Sequence, residues 1–456
     1  MRWRLIQTAD NDLLTQGPLF RALVVLSTPM LVSALLQNLQ SVIDLFWVGR
    51  LGAEAVAAVA MSGTLLMVLF PMLMGMSLGT VALVSRAMGA QRYDEAAAAA
   101  GQSLSLSLSL GLISAVAGWF GTPLLFRLLG AGPEVLPDGI AYLRISMVGS
   151  VTSFALFMGN AVLQGAGDTV TPMLIMAVAN LLNVVLDPLL IFGPGPFPAL
   201  GVQGAALATV LSQAVAATLS LVALLTGRVR IHLRLELLRP DTALAWRILR
   251  IGIPGSGQAL SRSLMSLVLM RIVATCGTVA VAAYGIGLRF HMITLMPAFA
   301  LGGAAATMVG QNLGAGRPGR ARRAAWLAAG LDVVLMVAAA AFFALLAGPL
   351  IRVFNADPEV IGIGAVYLRT VSPFYVFAAL AIVLGRALNG AGDTMAPMIF
   401  TVLSLWGLQV PLALTLPGRM ATPTDGIWWA IAAATVLHGV LIAAWFETGR
   451  WKRTRV

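Results

Sequence analysis

A chain of 456 residues that is 59% hydrophobic and 10% charged, with a mean hydropathy of +0.91, carries more apolar surface than a water-soluble core can hide. Soluble domains run about 45–50% apolar and about 25% charged. The composition therefore excludes the roughly three soluble domains that length alone would suggest and calls for a lipid-exposed surface. The net charge is +11, and of the 29 basic residues only Lys452 is a lysine. Such an excess fits either nucleic-acid contact or basic loops on one side of a membrane, and position along the chain decides. Cys276 is the sole cysteine, so no intrachain disulfide can form. Arg2 and Arg4 share the N-terminus with Asp10 and Asp12, and the apolar run that follows outlasts a signal-peptide core, so no cleavable signal is expected.

Apolar stretches long enough for a ~30 Å hydrocarbon layer recur about twelve times. They are placed near 19–46, 55–82, 96–121, 139–163, 170–192, 202–226, 245–273, 279–308, 322–350, 363–388, 396–417 and 427–447. The expected fold is an all-α membrane protein of two six-helix lobes. In it, 1–17 is an N-terminal tail, 18–226 the N-lobe, 227–250 a basic linker, 251–447 the C-lobe and 448–456 a basic tail. With the N-terminus inside the cell, most cations fall on cytoplasmic segments, among them Arg21, Arg86, Arg92, Arg228 to Arg250, Arg317 to Arg323, Arg386 and Arg450 to Arg455. External ends hold only Arg50, Arg127, Arg144, Arg352, Arg369 and Arg419, while Arg262, Arg271 and Arg289 fall inside spans. This asymmetry puts both termini in the cytoplasm, predicts a multi-pass protein of the inner membrane, and accounts for the positive charge without nucleic acid.

Val162–Met173 reads VLQGAGDTVTPM and Ala387–Met398 reads ALNGAGDTMAPM, an offset of 225 positions. The same offset pairs Pro29 with Pro254, Gly52 with Gly277, Gly89 with Gly314, and Tyr142-Leu143-Arg144 with Tyr367-Leu368-Arg369. Six spans per copy means that both copies enter the bilayer in the same sense. The pseudo-two-fold axis then runs along the membrane normal, with a cavity expected between the halves.

Gln37 to Asp44 (QNLQSVID) with Trp47 to Gly52, Gly-Ala-Gly-Asp-Thr at 165–169 and again at 390–394, Asn183 to Pro188 (NVVLDP) and Gln311 to Gly316 (QNLGAG) together resemble the MATE family of multidrug and toxic-compound extrusion transporters. The resemblance covers nearly the whole chain. It implies a secondary antiporter that exports amphipathic, often cationic, compounds in exchange for protons or sodium ions, by rocking two lobes. In the DinF-like branch the ion site lies on the first, fourth and fifth helices, and the matching positions are Gln37, Asp44, Asn160, Asn183 and Asp187. A hydroxyl expected on the sixth helix is replaced by Ala205, with Thr209 one turn on. The NorM-like branch has acids on the seventh and tenth helices, where this chain has Arg262 and Ala378, so the DinF-like pattern fits better.

The residues support that site independently. A charge near the bilayer centre costs about 2.5–3.5 kcal/mol on insertion scales, so intramembrane acids are functional candidates. Gln37, Gln40, Ser41 and Asp44 share one helical face, as do Asn183 and Asp187. Two carboxyl groups with amide oxygens could bind a proton, or sodium at Asp44, Asn183 and Asp187. A helix-end role for Asp44, a helix break at Asp187-Pro188, and interhelical hydrogen bonding by Asn160 and Asn183 are the bland alternatives. Asp332 reads as structural, paired with an arginine. Arg262, Arg289, Met292 and Met67 are candidate cavity residues, the thioethers because they suit promiscuous surfaces. Amphipathic small molecules and the bilayer are the expected partners, the monomer the expected unit, and the coupling ion, proton ahead of sodium, the only bound ion; no other cofactor is called for.

Other signals fail. Gly314-Ala-Gly-Arg-Pro-Gly319 matches a dinucleotide pattern but follows a membrane span, and Lys452 stands in no Walker A context. His232, His291 and His438 make no metal-ligand spacing. An enzyme would need a nucleophile and base at helical spacing, which is lacking, and a solute channel fits buried acids poorly. A flippase for a lipid-linked oligosaccharide is the main rival, and would need several cations in its cavity.

Overall fold

The computed structural model describes residues 11–195, 198–227 and 229–454. Arg2, Arg4 and Asp10, used above in the signal reading, and Arg228 and Arg455, counted toward orientation, lie outside them. Among the described residues there are helices and connections and no strands. After a short helix, Asn11–Thr15, the long helices form twelve consecutive segments: α1 (Leu19–Val48), α2 (Ala53–Leu66 and Phe70–Gly89), α3 (Tyr93–Leu128), α4 (Leu136–Val148 and Ser150–Gly165), α5 (Val170–Phe192), α6 (Val202–Leu225), α7 (Thr242–Ala274), α8 (Thr278–Gly314), α9 (Pro318–Arg352), α10 (Pro358–Val371 and Tyr375–Gly390), α11 (Met395–Val402, a π-helical Leu403–Gln409, then Val410–Thr415) and α12 (Pro423–Thr448). The two pieces of α4 meet at 42°. All-α architecture is thus as expected from the hydropathy.

The sequence reading and the structure part at α7. Of the twelve segments it is the one that does not qualify as a span by length and apolarity, because Arg247, Arg250, Arg262 and Arg271 ride on it. It also begins earlier than expected. Asp241 caps it, accepting from the backbone N–H groups of Ala243 and Leu244, so 242–250 is helix and not linker. The true connection, up to Asp241, is strapped to α3. Gln102 Nε2 donates to the carbonyls of Leu237 and Arg239, and its Oε1 accepts from the Asp241 amide. The tails are also packed: Leu14 is buried, as is Trp451, whose ring stacks on Phe446 at 4.7 Å.

The lobes meet where α2 packs along α7, with Gly75 against Gly252 and Gly79 against Ile248, and where α2 and α8 cross. Ser85 and Gly310, equivalent by the 225 offset, face one another: a Cβ at Gly310 would overlap the Ser85 hydroxyl. A Cβ at Gly89 would overlap the Gln311 carbonyl, and one at Gly314 the Arg86 carbonyl. Gly89 pairs with Gly314 and Arg86 with Gln311 by the same offset, so the pseudo-axis passes through this crossing. Glycine is required here because two backbones touch. Gln311 Nε2 donates to Gly165 O at 3.0 Å, Thr307 Oγ1 to Gln164 O at 3.2 Å, and Arg86 to Ala391 O at 3.1 Å. These bonds clamp the lobes together at the end of the bundle that carries the linker and both tails, hereafter the basic end.

Candidate functional site

The N-lobe encloses a cavity of about 520 Å³ between α1, α2, α4, α5 and α6, closed on one side by Phe299, Ala300 and Arg386 of the C-lobe. Its polar lining includes Gln37, Gln40, Tyr142, Asn160, Gln164 and Thr209. Each comes from a helix whose other face is apolar, so a polar stripe has only the interior to point to.

Above the cavity floor, α1 and α5 bring the acids together. Asn183 and Asp187 are fully buried, and Asn183 Nδ2 donates to Asp187 Oδ1 at 3.3 Å. The carboxyl of Asp44 adjoins both Asp187 and Asn183. One turn earlier on α5, Asn180 Nδ2 donates to the Leu36 carbonyl at 2.7 Å, fixing α5 against α1. What remains is a surplus of acceptors: Asp44 Oδ1, Asp187 Oδ2, Asn183 Oδ1, Asn180 Oδ1 and Asn160 Oδ1 are all buried without a hydrogen-bond partner. Buried polar atoms are normally satisfied, so these orphan oxygens have the capacity to accept a proton or a small cation; Asp332, Asn312 and Asn389 in the C-lobe keep orphan oxygens too. No group of three or more His, Cys, Asp or Glu side chains that could hold a metal occurs among the described residues. A sodium ion would therefore take two carboxylates and draw its other ligands from the amides, a hard-oxygen set.

Asp44, Asn183 and Asp187 do not line the cavity, whereas Gln37 and Asn160 do. Tyr142 joins the two places. It lines the cavity and lies within range of the charges on both carboxyl groups. The sequence reading used Tyr142 only as a repeat marker. Its role could not be read from its motif, because the copy at Tyr367 packs instead against Tyr284 and Trp428. Thr209, the hydroxyl one turn past Ala205, also lines the cavity, with its Oγ1 donating back to the Ala205 carbonyl.

The cavity residues proposed from sequence lie elsewhere than on this N-lobe cavity. None of Arg262, Arg289, Met292 and Met67 is on the lining. Met67 caps the end of the first piece of α2 and is 70% exposed, Met292 is 52% exposed, and Arg289 is likewise exposed. Arg262 is packed inside the C-lobe. The arginine that does line the cavity is Arg386, assigned from sequence to a cytoplasmic segment but held within α10. Asp332 is fully buried on α9 and both its carboxylate oxygens lack a partner, so the expected arginine pairing does not form.

A model of the MatE family matches residues 29–189 and 254–415, two blocks that start 225 positions apart. The chain is 30% identical to "Probable multidrug resistance protein NorM" of Thermotoga maritima over 443 residues, 96% of this chain and 94% of that one. It is 31% identical to "FAD transporter" of Shewanella oneidensis over 435 residues, 94% of this chain and 95% of that one. Among solved structures, an outward-facing multidrug resistance MATE family transporter of the MOP superfamily superposes with a TM-score of 0.89 at 27% identity, covering 98% of this chain and 100% of that one.

Proposed function

This chain belongs to the MatE family of multi-pass membrane transporters, and from that premise we propose a secondary antiporter that exports amphipathic compounds as a cation, the proton ahead of sodium, returns inward. The observation that carries the reading is the acceptor surplus at Asp44, Asn183 and Asp187, joined to the cavity through Tyr142. Two carboxyl groups that adjoin in a buried site repel when both are ionised, and a single shared proton relieves the repulsion. A proton therefore suits the pair better than it suits either acid alone. Asn183 holds Asp187 in place, while Gln37 and Asn160, on the cavity wall, sense whether the pair is occupied. Protonation lets α1 close on α5 and narrows the cavity; loss of the proton to the other side resets it. The branch in question is the DinF-like one, because the acids sit in the N-lobe.

The clamp at the basic end leaves the cavity to open toward the opposite end. With the positive-inside orientation, that opening faces out of the cell, both termini lie in the cytoplasm, and the protein resides in the cytoplasmic membrane as a monomer. A flippase for a lipid-linked oligosaccharide would call for several cations on the cavity wall, and the lining holds one.

The deciding measurement is transport in proteoliposomes under an imposed proton gradient or an imposed sodium gradient, one at a time. Efflux of an amphipathic dye driven by the proton gradient is the expected result. Efflux driven by sodium alone would reassign the ion, and efflux indifferent to both would overturn the antiporter.

A further inference from the structure

The charge of the cavity points to a class of cargo. Arg386 is the one charged side chain on the lining, and no carboxylate accompanies it. Side chains on a helix lean toward its N-terminus, so from the last turn of α10 Arg386 reaches away from the basic end and into the cavity. Room for it exists because α8 has Gly302 there: a Cβ at that position would stand 3.0 Å from Arg386 Cδ. Its guanidinium lies 5.2 Å from the centroid of the Phe299 ring, a contact that steadies the side chain and leaves its N–H fork free.

Among the described residues Arg386 has no acidic or hydrogen-bonding partner, and the charge that reaches it within the C-lobe is that of another cation, Arg262, whose field also reaches His438. The counterpart of Arg386 in the other copy is Ala161, itself on the cavity wall, so the charge belongs to one copy only. An arginine at membrane depth without a counter-ion is costly to keep. Its planar fork matches a carboxylate or phosphate through two parallel bonds, which a lysine point charge does not reproduce. Beside the polar residues named above, the wall carries an apolar and aromatic part, with Phe70, Phe154, Phe157, Met74 and Met176 on a space large enough for a flat ring system or an acyl chain.

We propose that the cavity takes an amphipathic anion, its carboxylate or phosphate held by Arg386 and its apolar body lodged against the aromatic wall of the N-lobe. The proposal rests on the reading that this cavity carries the exported compound, and it departs from the cationic cargo that the family resemblance implies. A phosphate could belong to a soluble compound or to a lipid headgroup, and the shared chemistry is the same.

The test uses the purified full chain in detergent and a matched pair of probes, riboflavin and riboflavin 5′-phosphate, which share a ring system and differ by one phosphate. Flavin fluorescence polarisation should show the phosphate form binding about tenfold more tightly, as one charge-assisted bidentate contact allows. Arg386→Gln should bring the two within about twofold of each other without weakening riboflavin itself, while Arg386→Lys keeps part of the preference. Equal binding of the two probes by the wild-type protein, which needs no variant to fold, would overturn the proposal, as would a preference that survives in Arg386→Gln. Inorganic phosphate and dihexanoyl phosphatidylglycerol are then added as competitors. The stronger one assigns a soluble or a lipid source, and failure of both to displace riboflavin 5′-phosphate would also overturn the site. Dye efflux driven by an ion gradient without any anion preference removes this proposal alone. An anion preference without ion-driven efflux removes the antiporter reading and leaves the site standing.

Discussion

Where α1 carries Asp44, α7 carries Leu269, buried in the largest core of the C-lobe. Asn183 and Asp187 of α5 correspond to Leu408 and Leu412 on α11. Tyr142 faces two acids, whereas Tyr367 is wedged between Tyr284 and Trp428, its ring 4.8 Å from that of Trp428. The difference continues along the cavity wall. Ser33, Gln37, Met176 and Gln213 line the N-lobe cavity, and their counterparts are Gln258, Arg262, Thr401 and His438. Three of those four bond to one another: Gln258 donates to Thr401 Oγ1 at 3.1 Å, and Thr401 shares a 3.2 Å contact with His438 Nε2. The duplicated scaffold therefore pairs two adjoining acids beside a cavity in the N-lobe with leucines at the equivalent positions of the C-lobe. A shared scaffold tolerates this because burial constrains volume and polarity satisfaction at each position, not residue identity.

The comparison can be broken most directly at the acids. Asp187→Asn or Asp44→Asn should reduce ion-driven efflux by at least about tenfold, the loss of one essential protonation step, with membrane expression unchanged; near-normal efflux in both would refute the N-lobe site. The reverse exchange, Leu412→Asp, should lower thermal stability in detergent, since an acid in a filled apolar site costs about 2.5–3.5 kcal/mol, and should confer no second coupling site. Recovery of efflux in Asp187→Asn by Leu412→Asp would show that the lobes are interchangeable after all.

Smaller effects test the shared scaffold. Gly89→Ala places a methyl on the Gln311 carbonyl and should cost about 1–3 kcal/mol as overpacking. Gly330→Ala, in a helix with nothing near its Cβ, should stabilise by up to about 1 kcal/mol through helix propensity; thermal melting of the two variants side by side reads the contrast. Least disruptive is the tyrosine pair. Tyr142→Phe should slow efflux by roughly tenfold or less, as expected for loss of one hydrogen-bonding group, and leave melting unchanged. Tyr367→Phe should leave efflux unchanged.

Much of this was legible from residues alone because it is written in one dimension. Lipid exposure shows as long apolar runs, and duplication shows as the constant offset linking Gly165 with Gly390. The acids Asp44 and Asp187 stood out because a charge in an apolar run has no bland surface role to fall back on. Two exceptions are instructive. The span α7 has four arginines and does not qualify by apolarity, yet forms a full helix packed along α2, where Gly75 and Gly79 let the two approach closely. Arg386 looked like a loop cation because it lies four residues from the end of a helix, and only its upward-leaning side chain brings it into the cavity.

The sequence by itself determined the class of protein, the two-fold duplication, and which copy holds the acids, since hydropathy, repetition and residue type survive without coordinates. Tertiary structure alone decided that Asp44 meets Asp187 across two helices, that Tyr142 bridges them to the cavity, and that Arg386 rather than Arg262, Arg289, Met292 or Met67 lines it. Those facts depend on the rotation and crossing of helices. Glycine contacts such as Gly89 with Gln311 set that crossing between residues more than 200 positions apart, and no local pattern in the chain records it.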